Sequence, residues 1–109
     1  MIELLQLRDQ QQQDERISLR LEVREQLGHC LHRLMAGHRI WLFGSLLQPG
    51  TFNAASDIDL AIETLPTGMS IYTLTALLEE DMQRPVDVVE LPNSRLRRKI
   101  MATGETWIA

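Results

Sequence analysis

The chain has 109 residues, of which 44% are hydrophobic and 24% are charged, and its formal net charge is −4. This length predicts a single domain, residues 1–109, because domains commonly contain about 100–150 residues. The acidic balance excludes a broad basic surface, so we expect no stable binding of duplex nucleic acid by this chain alone. Cys30 is the only cysteine, and neither a leader-like start nor an apolar run of about 20 residues is visible. We therefore expect a soluble cytoplasmic protein with no membrane span and no internal disulfide.

The spacing of apolar residues predicts the secondary structure in chain order. Residues 1–13 include four consecutive glutamines, which fit either the first turns of a long helix or a loose arm. Apolar residues at helical spacing then predict a helix from Asp14 to about Gly37. The remaining elements are a strand at 40–43, a strand at 57–62, a helix at 71–84, a strand at 86–89 and a short helix at 96–101 that Gly104 ends. This order predicts an α/β domain with a small sheet.

Two aspartates occupy one face of the predicted second strand. Asp57 and Asp59 are two positions apart, so both project from the face opposite Ile58, Leu60 and Ile62. Aspartate is disfavoured in strands, and two carboxylates this close repel each other unless a divalent cation offsets their charge. Taken alone, the strand leaves two interpretations open: a metal-binding pair, or a half-exposed strand with an acidic outer face.

Two further features accompany this pair. Gly44-Ser45 directly follows the buried strand, where a glycine lets a ligand approach the backbone and the start of a helix suits phosphate. Asp87 lies among valines in the third strand. Each feature has an ordinary explanation, a turn for Gly44-Ser45 and a protective edge-strand charge for Asp87. Their combination with Asp57 and Asp59 in one small domain favours a single functional site.

This set of residues resembles a known family. Leu42-Phe43-Gly44-Ser45, followed after eleven residues by Asp57-Ile58-Asp59-Leu60, is similar to the signature of the minimal nucleotidyltransferases (MNT) of the DNA polymerase β superfamily. Pro85-Val86-Asp87-Val88-Val89 is similar to the strand that carries the third carboxylate of that family. The resemblance spans residues 40–104 and implies a small mixed β-sheet flanked by helices, the DNA polymerase β-like nucleotidyltransferase fold.

The resemblance implies transfer of a nucleotidyl group from MgATP. Asp57, Asp59 and Asp87 would be catalytic and would hold Mg²⁺, with two ions expected; Asp87 would help to activate the acceptor, and Gly44-Ser45 would bind the triphosphate. Attack on an α-phosphate needs both the entering and the leaving oxygen stabilised, which two carboxylate-held ions achieve. Family members commonly carry an Ala-Arg-Gly run after Gly-Ser, whereas the segment 46–50 of this chain, Leu-Leu-Gln-Pro-Gly, has no arginine.

The resemblance also implies a partner. Small MNT proteins are similar to the antitoxins of HEPN/MNT toxin–antitoxin pairs, so the expected function is transfer of AMP to a HEPN ribonuclease toxin, which neutralises the toxin in a hetero-oligomer. Two alternatives stay open: an MNT-fold binding module that masks its toxin by contact alone, and a nucleotidyltransferase subunit that acts on a small molecule. The three aspartates favour the enzyme, and the altered 46–50 segment favours the binding module.

Two other clusters are interpreted as ordinary surface or packing. His29, Cys30 and His32 lie close together on the first long helix, but a metal site needs more ligands and a supporting partner. The basic segment 95–99 is predicted to form the solvated face of the last helix.

Overall fold

The computed structural model describes residues 2–109 (for Ile2, the backbone only), which form three α-helices and a four-stranded sheet. The helices are α1 (Ile2–Met35), α2 (Ile71–Met82) and α3 (Arg97–Thr103). The strands are β1 (Arg39–Phe43), β2 (Ile58–Ile62), β3 (Val86–Glu90) and β4 (Glu105–Ile108). Two 3₁₀ turns, Gly44–Leu47 and Leu91–Asn93, directly follow β1 and β3.

The sheet is mixed, and its strand order is β3-β2-β1-β4. Strand β1 is antiparallel to both of its neighbours, β2 and β4, whereas β2 and β3 are parallel. A parallel pair needs a crossover connection, and α2 supplies it. Ser70 starts this helix, since its hydroxyl accepts the backbone N–H of Thr73 at 3.1 Å. A small mixed sheet flanked by helices confirms the predicted α/β fold class.

One face of the sheet is apolar over the two central strands and packs against α1 and α2. We call it the apolar face and define it by Ile40, Leu42, Ile58, Leu60 and Ile62, each of which is fully buried. In β1 and β2 these residues are register partners, Ile40 with Ile62 and Leu42 with Leu60. The helices cover them with the buried side chains of Val23, Leu27, Leu31, Met35, Leu74, Leu78 and Met82.

The opposite face is covered over only part of its area. We call it the open face and define it by two rows of register partners, Trp41–Ala61–Val89 and Phe43–Asp59–Asp87. Ile100 of α3 and Leu91 pack on the first row and bury Trp41 and Ala61. The second row stays partly exposed to solvent. The aspartates therefore lie just beyond the edge of a small second core.

Helix α1 is longer than the periodicity predicts. It is helical from Ile2, so residues 2–13 continue the predicted helix, and residue 1 lies outside the described part of the chain. Its 34 residues span about 51 Å, and the molecule accordingly measures 58 × 28 × 20 Å. Side chains 3–18 are exposed because this half of α1 extends past the sheet. None of the helices in residues 2–109 is long and apolar enough to cross a membrane.

Strand β4 is the element that the periodicity analysis missed. The sequence predicts a short last helix followed by a trailing end, whereas residues 105–108 pair with β1 as an edge strand. Gly104 ends α3 as predicted, and its backbone N–H donates to the Ile100 carbonyl at 2.7 Å. Its φ is −74°, so the left-handed cap does not explain the glycine. A Cβ at this position would lie 2.5 Å from the Ile100 carbonyl oxygen and 3.0 Å from the Leu42 carbonyl oxygen, so the end of α3 and the close approach to β1 both favour glycine.

Candidate functional site

Asp59 lies at the centre of the candidate site because strand register places it there. Its partner on one side is Phe43 at the end of β1, and its partner on the other side is Asp87 of β3. Neighbouring strands are about 4.8 Å apart, and register partners project from the same face. The carboxylates of Asp59 and Asp87 therefore stand side by side on the open face.

Asp57 precedes β2 by one residue and completes the acidic group. The following residue, Ile58, donates its backbone N–H to the Pro85 carbonyl at 3.0 Å, which fixes Asp57 beside the start of β3. Asp57 and Asp87 are exposed, whereas Asp59 is half-buried. No basic side chain within residues 2–109 forms an ion pair with any of the three. The site is a concentration of uncompensated negative charge.

The pKa of Asp59 shows the effect of this concentration. Burial raises the pKa of its carboxyl above the ordinary value of 3.8, and the negative charges of Asp87 and Asp57 raise it further. Both causes disfavour the ionised form. A cation bound here would offset both causes, since its positive charge favours the ionised carboxylate.

Gly44 lies directly against the Asp59 carboxylate, and only glycine fits at this position. Its φ is +77°, a left-handed conformation that favours glycine. A Cβ built on Gly44 would overlap Oδ2 of Asp59 and would lie 3.2 Å from its Cγ. Ser45 follows in the first turn of the 3₁₀ segment, and its hydroxyl has no hydrogen-bond partner within the described chain. Glycine here lets the backbone of the 44–47 turn approach the carboxylate closely.

Two arginines that the sequence analysis did not assign to the site hold its loops in place. Arg20 of α1 donates from Nε to the Leu46 carbonyl at 2.7 Å, while the Leu46 side chain is fully buried in the core. Arg84 donates from Nη1 to the Ser56 carbonyl at 3.0 Å, and its guanidinium lies 4.8 Å from the centre of the buried Phe52 ring. An arginine of α1, 26 positions away in sequence, thus holds the turn after Gly44-Ser45, and short-range sequence patterns do not indicate such a contact.

The three aspartates supply the type of oxygen donor that a hard divalent cation prefers, and binding of Mg²⁺ by them stays a prediction. Oxygen ligands from two or three carboxylates are what Mg²⁺ binds, usually with waters or substrate phosphates completing its shell. In residues 2–109 no three His, Cys, Asp or Glu side chains converge on one point at ligand distance. The fit therefore rests on the shared face, the raised pKa of Asp59 and the Gly44 backbone above it, and simultaneous ligation by all three aspartates remains a prediction.

The other clusters singled out in the sequence are part of the helical packing or the surface. Cys30 is buried, and its thiol contacts Oδ2 of Asp81 at 3.0 Å. Burial raises the pKa of this thiol, although the charge of Arg33 partly offsets the effect. His29 and His32 are exposed. The basic side chains of segment 95–99 are exposed as predicted.

The chain is similar to a known protein family and to a chain of known structure. The family model described as polymerase beta, nucleotidyltransferase, matches residues 25–108. Among solved structures, a chain in a crystal structure of a toxin–antitoxin with AMP-PNP is 27% identical, with a TM-score of 0.61. The match covers 78% of this chain and 73% of that chain. No curated protein matches this sequence.

Proposed function

This chain belongs to the polymerase β nucleotidyltransferase family, and from that premise we propose that it transfers AMP from MgATP to a HEPN-type toxin, which it thereby neutralises. The observation that carries the proposal is the half-buried Asp59, which is flanked by Asp57 and Asp87 and approached by the backbone of Gly44. A structural core would avoid such a group, because it confines like charges without a compensating cation.

The chemistry assigns a role to each part of the site. Asp57 and Asp59, assisted by Asp87, would hold Mg²⁺, which when bound neutralises phosphate charge. The 44–47 turn offers backbone N–H groups and the free Ser45 hydroxyl to the triphosphate. An acceptor hydroxyl forms the new bond to the α-phosphorus, the bond from that phosphorus to the bridging oxygen breaks, and pyrophosphate leaves. Asp87, exposed at the edge strand, accepts the proton of the acceptor hydroxyl.

A protein acceptor is supported by the relative and by the helix that precedes the family module. That module begins at residue 25. The similar chain of 27% identity occurs in a toxin–antitoxin structure with AMP-PNP. Upstream of the module, α1 exposes Leu4, Leu5, Leu7 and Leu21, and helix faces of this kind commonly dock on partner proteins.

The test pairs the substitution of an acidic residue within β2 with that of an acidic residue just past its end. Asp59→Asn removes the central carboxylate, whereas Glu63→Gln changes an exposed residue just past the other end of β2. Each variant is purified with the product of the neighbouring gene, incubated with MgATP and analysed by intact mass. We expect AMP on the partner with wild type and Glu63→Gln, and about 100-fold less or none with Asp59→Asn, because the loss of a metal ligand costs several kcal/mol of transition-state stabilisation. Equal labelling by both variants would show that the carboxylates do not catalyse the transfer.

Masking by contact alone is the second candidate, and the exposed leucines of α1 favour it. Under this function the Asp59→Asn complex would still neutralise the toxin, whereas Leu4→Glu combined with Leu7→Glu would release it. Toxin ribonuclease activity measured with both variants separates the two functions. Loss of neutralisation in Asp59→Asn with the complex intact supports the transferase.

A further inference from the structure

Helix α1 contacts the 44–47 turn from outside the family module, which begins at residue 25. Arg20 of α1 donates from Nε to the Leu46 carbonyl at 2.7 Å, and its Nη2 lies 3.5 Å from the Leu47 carbonyl oxygen. One guanidinium thus bridges two consecutive carbonyls of the turn. Its planar fork is suited to such a pair, whereas a lysine ammonium is a single point charge. Arg20 is half-buried, so less water competes for these bonds than at an open surface.

The hold on these carbonyls extends to Ser45 through a planar peptide group. The Leu47 carbonyl and the Gln48 N–H belong to one peptide unit, so a bound carbonyl fixes the direction of that N–H. The Gln48 N–H in turn donates to the Ser45 carbonyl at 3.0 Å. Arg20 is therefore connected to Ser45 by two hydrogen bonds and one rigid peptide group.

A second contact from α1 holds the end of the segment 46–50. Arg16 lies one helical turn before Arg20 and donates from Nη1 to the Gly50 carbonyl at 3.5 Å. Gly50 has a φ of +81°, and a Cβ there would overlap Nε2 of Gln13, so the segment lies directly against the helix. The segment contains no arginine or lysine of its own. Its contacts with positive charge therefore come from α1.

We propose that Arg20 is a positioning residue for nucleotidyl transfer, which sets the conformation of the 44–47 turn through the two carbonyls it binds. The proposal rests on the proposed function, in which this turn receives the triphosphate. A turn that is ordered before the nucleotide arrives loses less conformational freedom on binding, so affinity is higher. A displaced turn also moves the phosphates relative to Asp59, and phosphoryl-type transfer depends on such positioning. Loss of Arg20 therefore weakens MgATP binding and slows the transfer.

The turn keeps a second anchor when Arg20 is removed. The Leu46 side chain is fully buried in the core, and it does not depend on the arginine for its apolar contacts. We therefore expect the chain to stay folded while the backbone of the turn populates more than one conformation. This separates a positioning role from a purely structural one.

The test compares two arginines of α1 that hold different parts of the domain. Arg20→Gln removes the bridge to the 44–47 turn. The matched control, Arg24→Gln, removes contacts with Glu105 and Trp107 of β4 and leaves the turn unchanged. Arg20→Lys keeps the charge and one donor but cannot span both carbonyls. For each full-length variant, calorimetry gives the dissociation constant of MgATP, intact mass over time gives kcat and KM for labelling of the partner, and thermal unfolding gives the melting temperature.

We expect Arg20→Gln to raise the dissociation constant and the KM of MgATP about tenfold, at a temperature where the variant is folded, because a charged hydrogen-bonding group is lost from the turn. Its kcat should also fall. Arg20→Lys should lie between wild type and Arg20→Gln. Arg24→Gln should lower the melting temperature but leave the dissociation constant and the KM of MgATP unchanged.

The outcomes that contradict the role of Arg20 differ from those that contradict the proposed function. If wild type labels the partner and Arg20→Gln matches it in MgATP affinity, KM and kcat, the turn does not need Arg20, although the proposed function stands. Equal losses of affinity in Arg20→Gln and Arg24→Gln would assign both arginines to the general stability of the fold. If Arg20→Gln does not fold, wild-type affinity and KM in Arg20→Lys overturn the proposal instead. If wild type neither binds MgATP nor labels the partner, the proposed function fails, and the role of Arg20 fails with it.

Discussion

The two faces of the sheet differ in burial and in charge, although they are made from alternate residues of the same strands. On the apolar face, Leu42 and Leu60 are fully buried under α1 and α2. On the open face, the positions next to them carry Phe43 and Asp59, and burial there is partial. The apolar face gains free energy from every side chain that leaves water. The open face holds Asp59, whose ionised form is disfavoured by its burial and by the negative charges of its neighbours.

This difference shows how a chain of 109 residues combines stability with chemistry. One core, formed by the apolar face and the two longer helices, stabilises the fold. The second core, formed by Trp41, Ala61, Leu91 and Ile100, is small and ends one row before the aspartates. Functional groups commonly occupy positions that cost stability, and the remaining structure offsets that cost. Substitutions on the apolar face should therefore lower stability, whereas substitutions on the open face should lower activity and leave stability nearly unchanged.

The largest effect on stability is expected from Leu60→Ala on the apolar face. Leu60 is fully buried, so its truncation loses transfer free energy and leaves a cavity, at a cost of about 2–5 kcal/mol in the free energy of unfolding. Its neighbour Asp59→Asn should leave this free energy unchanged or slightly higher in metal-free buffer, because a repelled charge is removed and no core atom is lost. Urea unfolding of both variants measures the contrast. A comparable loss in Asp59→Asn would show that the carboxylate is structural.

Binding of MgATP at the open face is expected to raise the free energy of unfolding of the protein by a somewhat smaller amount than Leu60→Ala lowers it. A ligand that binds only the folded state contributes about 2.7 kcal/mol at a hundredfold excess over its dissociation constant. At about 4–8 °C for each kcal/mol, millimolar MgATP should raise the melting temperature by several degrees or more. ATP with a chelator should do much less, since bare phosphates then face bare carboxylates. The absence of any shift, in the free chain and in its complex, would favour masking by contact alone.

The sequence predicts the aspartate face well for a physical reason. Strand side chains alternate with a period of two, so Asp57 and Asp59 must share a face wherever the strand lies, and the apolar partners at 58, 60 and 62 identify the buried side. The pairing of Asp59 with Asp87 depends instead on register between strands 28 positions apart, which local periodicity does not encode. The resemblance to a family supplied that information.

Two other elements show where local patterns carry too little information. Strand β4 has only four residues, and its two inward side chains, Glu105 and Trp107, both contact Arg24 of α1. Only one of the two is apolar, so the strand has no apolar alternation that could be recognised in the sequence. The first half of α1 contains four glutamines that favour helix but give no apolar period, so its start could not be located. The contacts of Arg20 and Arg84 with site loops likewise join residues that are distant in sequence.

A smaller effect is expected from Gly44→Ala, at the boundary between the two faces. An alanine at φ +77° costs about 1–2 kcal/mol in backbone strain, and its Cβ displaces the Asp59 carboxylate. We expect a modest loss of stability together with a large loss of MgATP affinity. Gly68→Ala provides the matched control, because Gly68 has a similar φ of +79° but no atom within 4 Å of the added Cβ. Equal MgATP affinity in the two variants would contradict a role for Gly44 at the site.

The smallest effect is the pH dependence of stability, which has opposite signs for Glu105 and Asp59, two carboxylates on opposite faces of the sheet. Burial alone would raise the pKa of Glu105, but hydrogen bonds and charge from Arg24, with a hydrogen bond from Trp107, lower it below the ordinary value of 4.5. Its contribution to stability is therefore present above pH 4.5 and is lost as the pH falls through the lower folded pKa. Asp59 has a folded pKa above 3.8, so the folded state binds more protons than the unfolded state between these values, and wild-type stability falls as the pH rises through that window.

Two variants separate these contributions in metal-free buffer. Relative to wild type, Asp59→Asn should gain stability as the pH rises from 3.8 through the folded pKa of Asp59, and the gain should then level off. Glu105→Gln should lose stability above pH 4.5, and this loss should shrink at lower pH. Each difference is expected to be within about 1 kcal/mol, as is usual for partly exposed charges. Urea unfolding at several pH values between 3 and 7 measures both curves. Two difference curves of the same sign would mean that the open face does not oppose the charge of Asp59, and the contrast between the faces would then lie in packing alone.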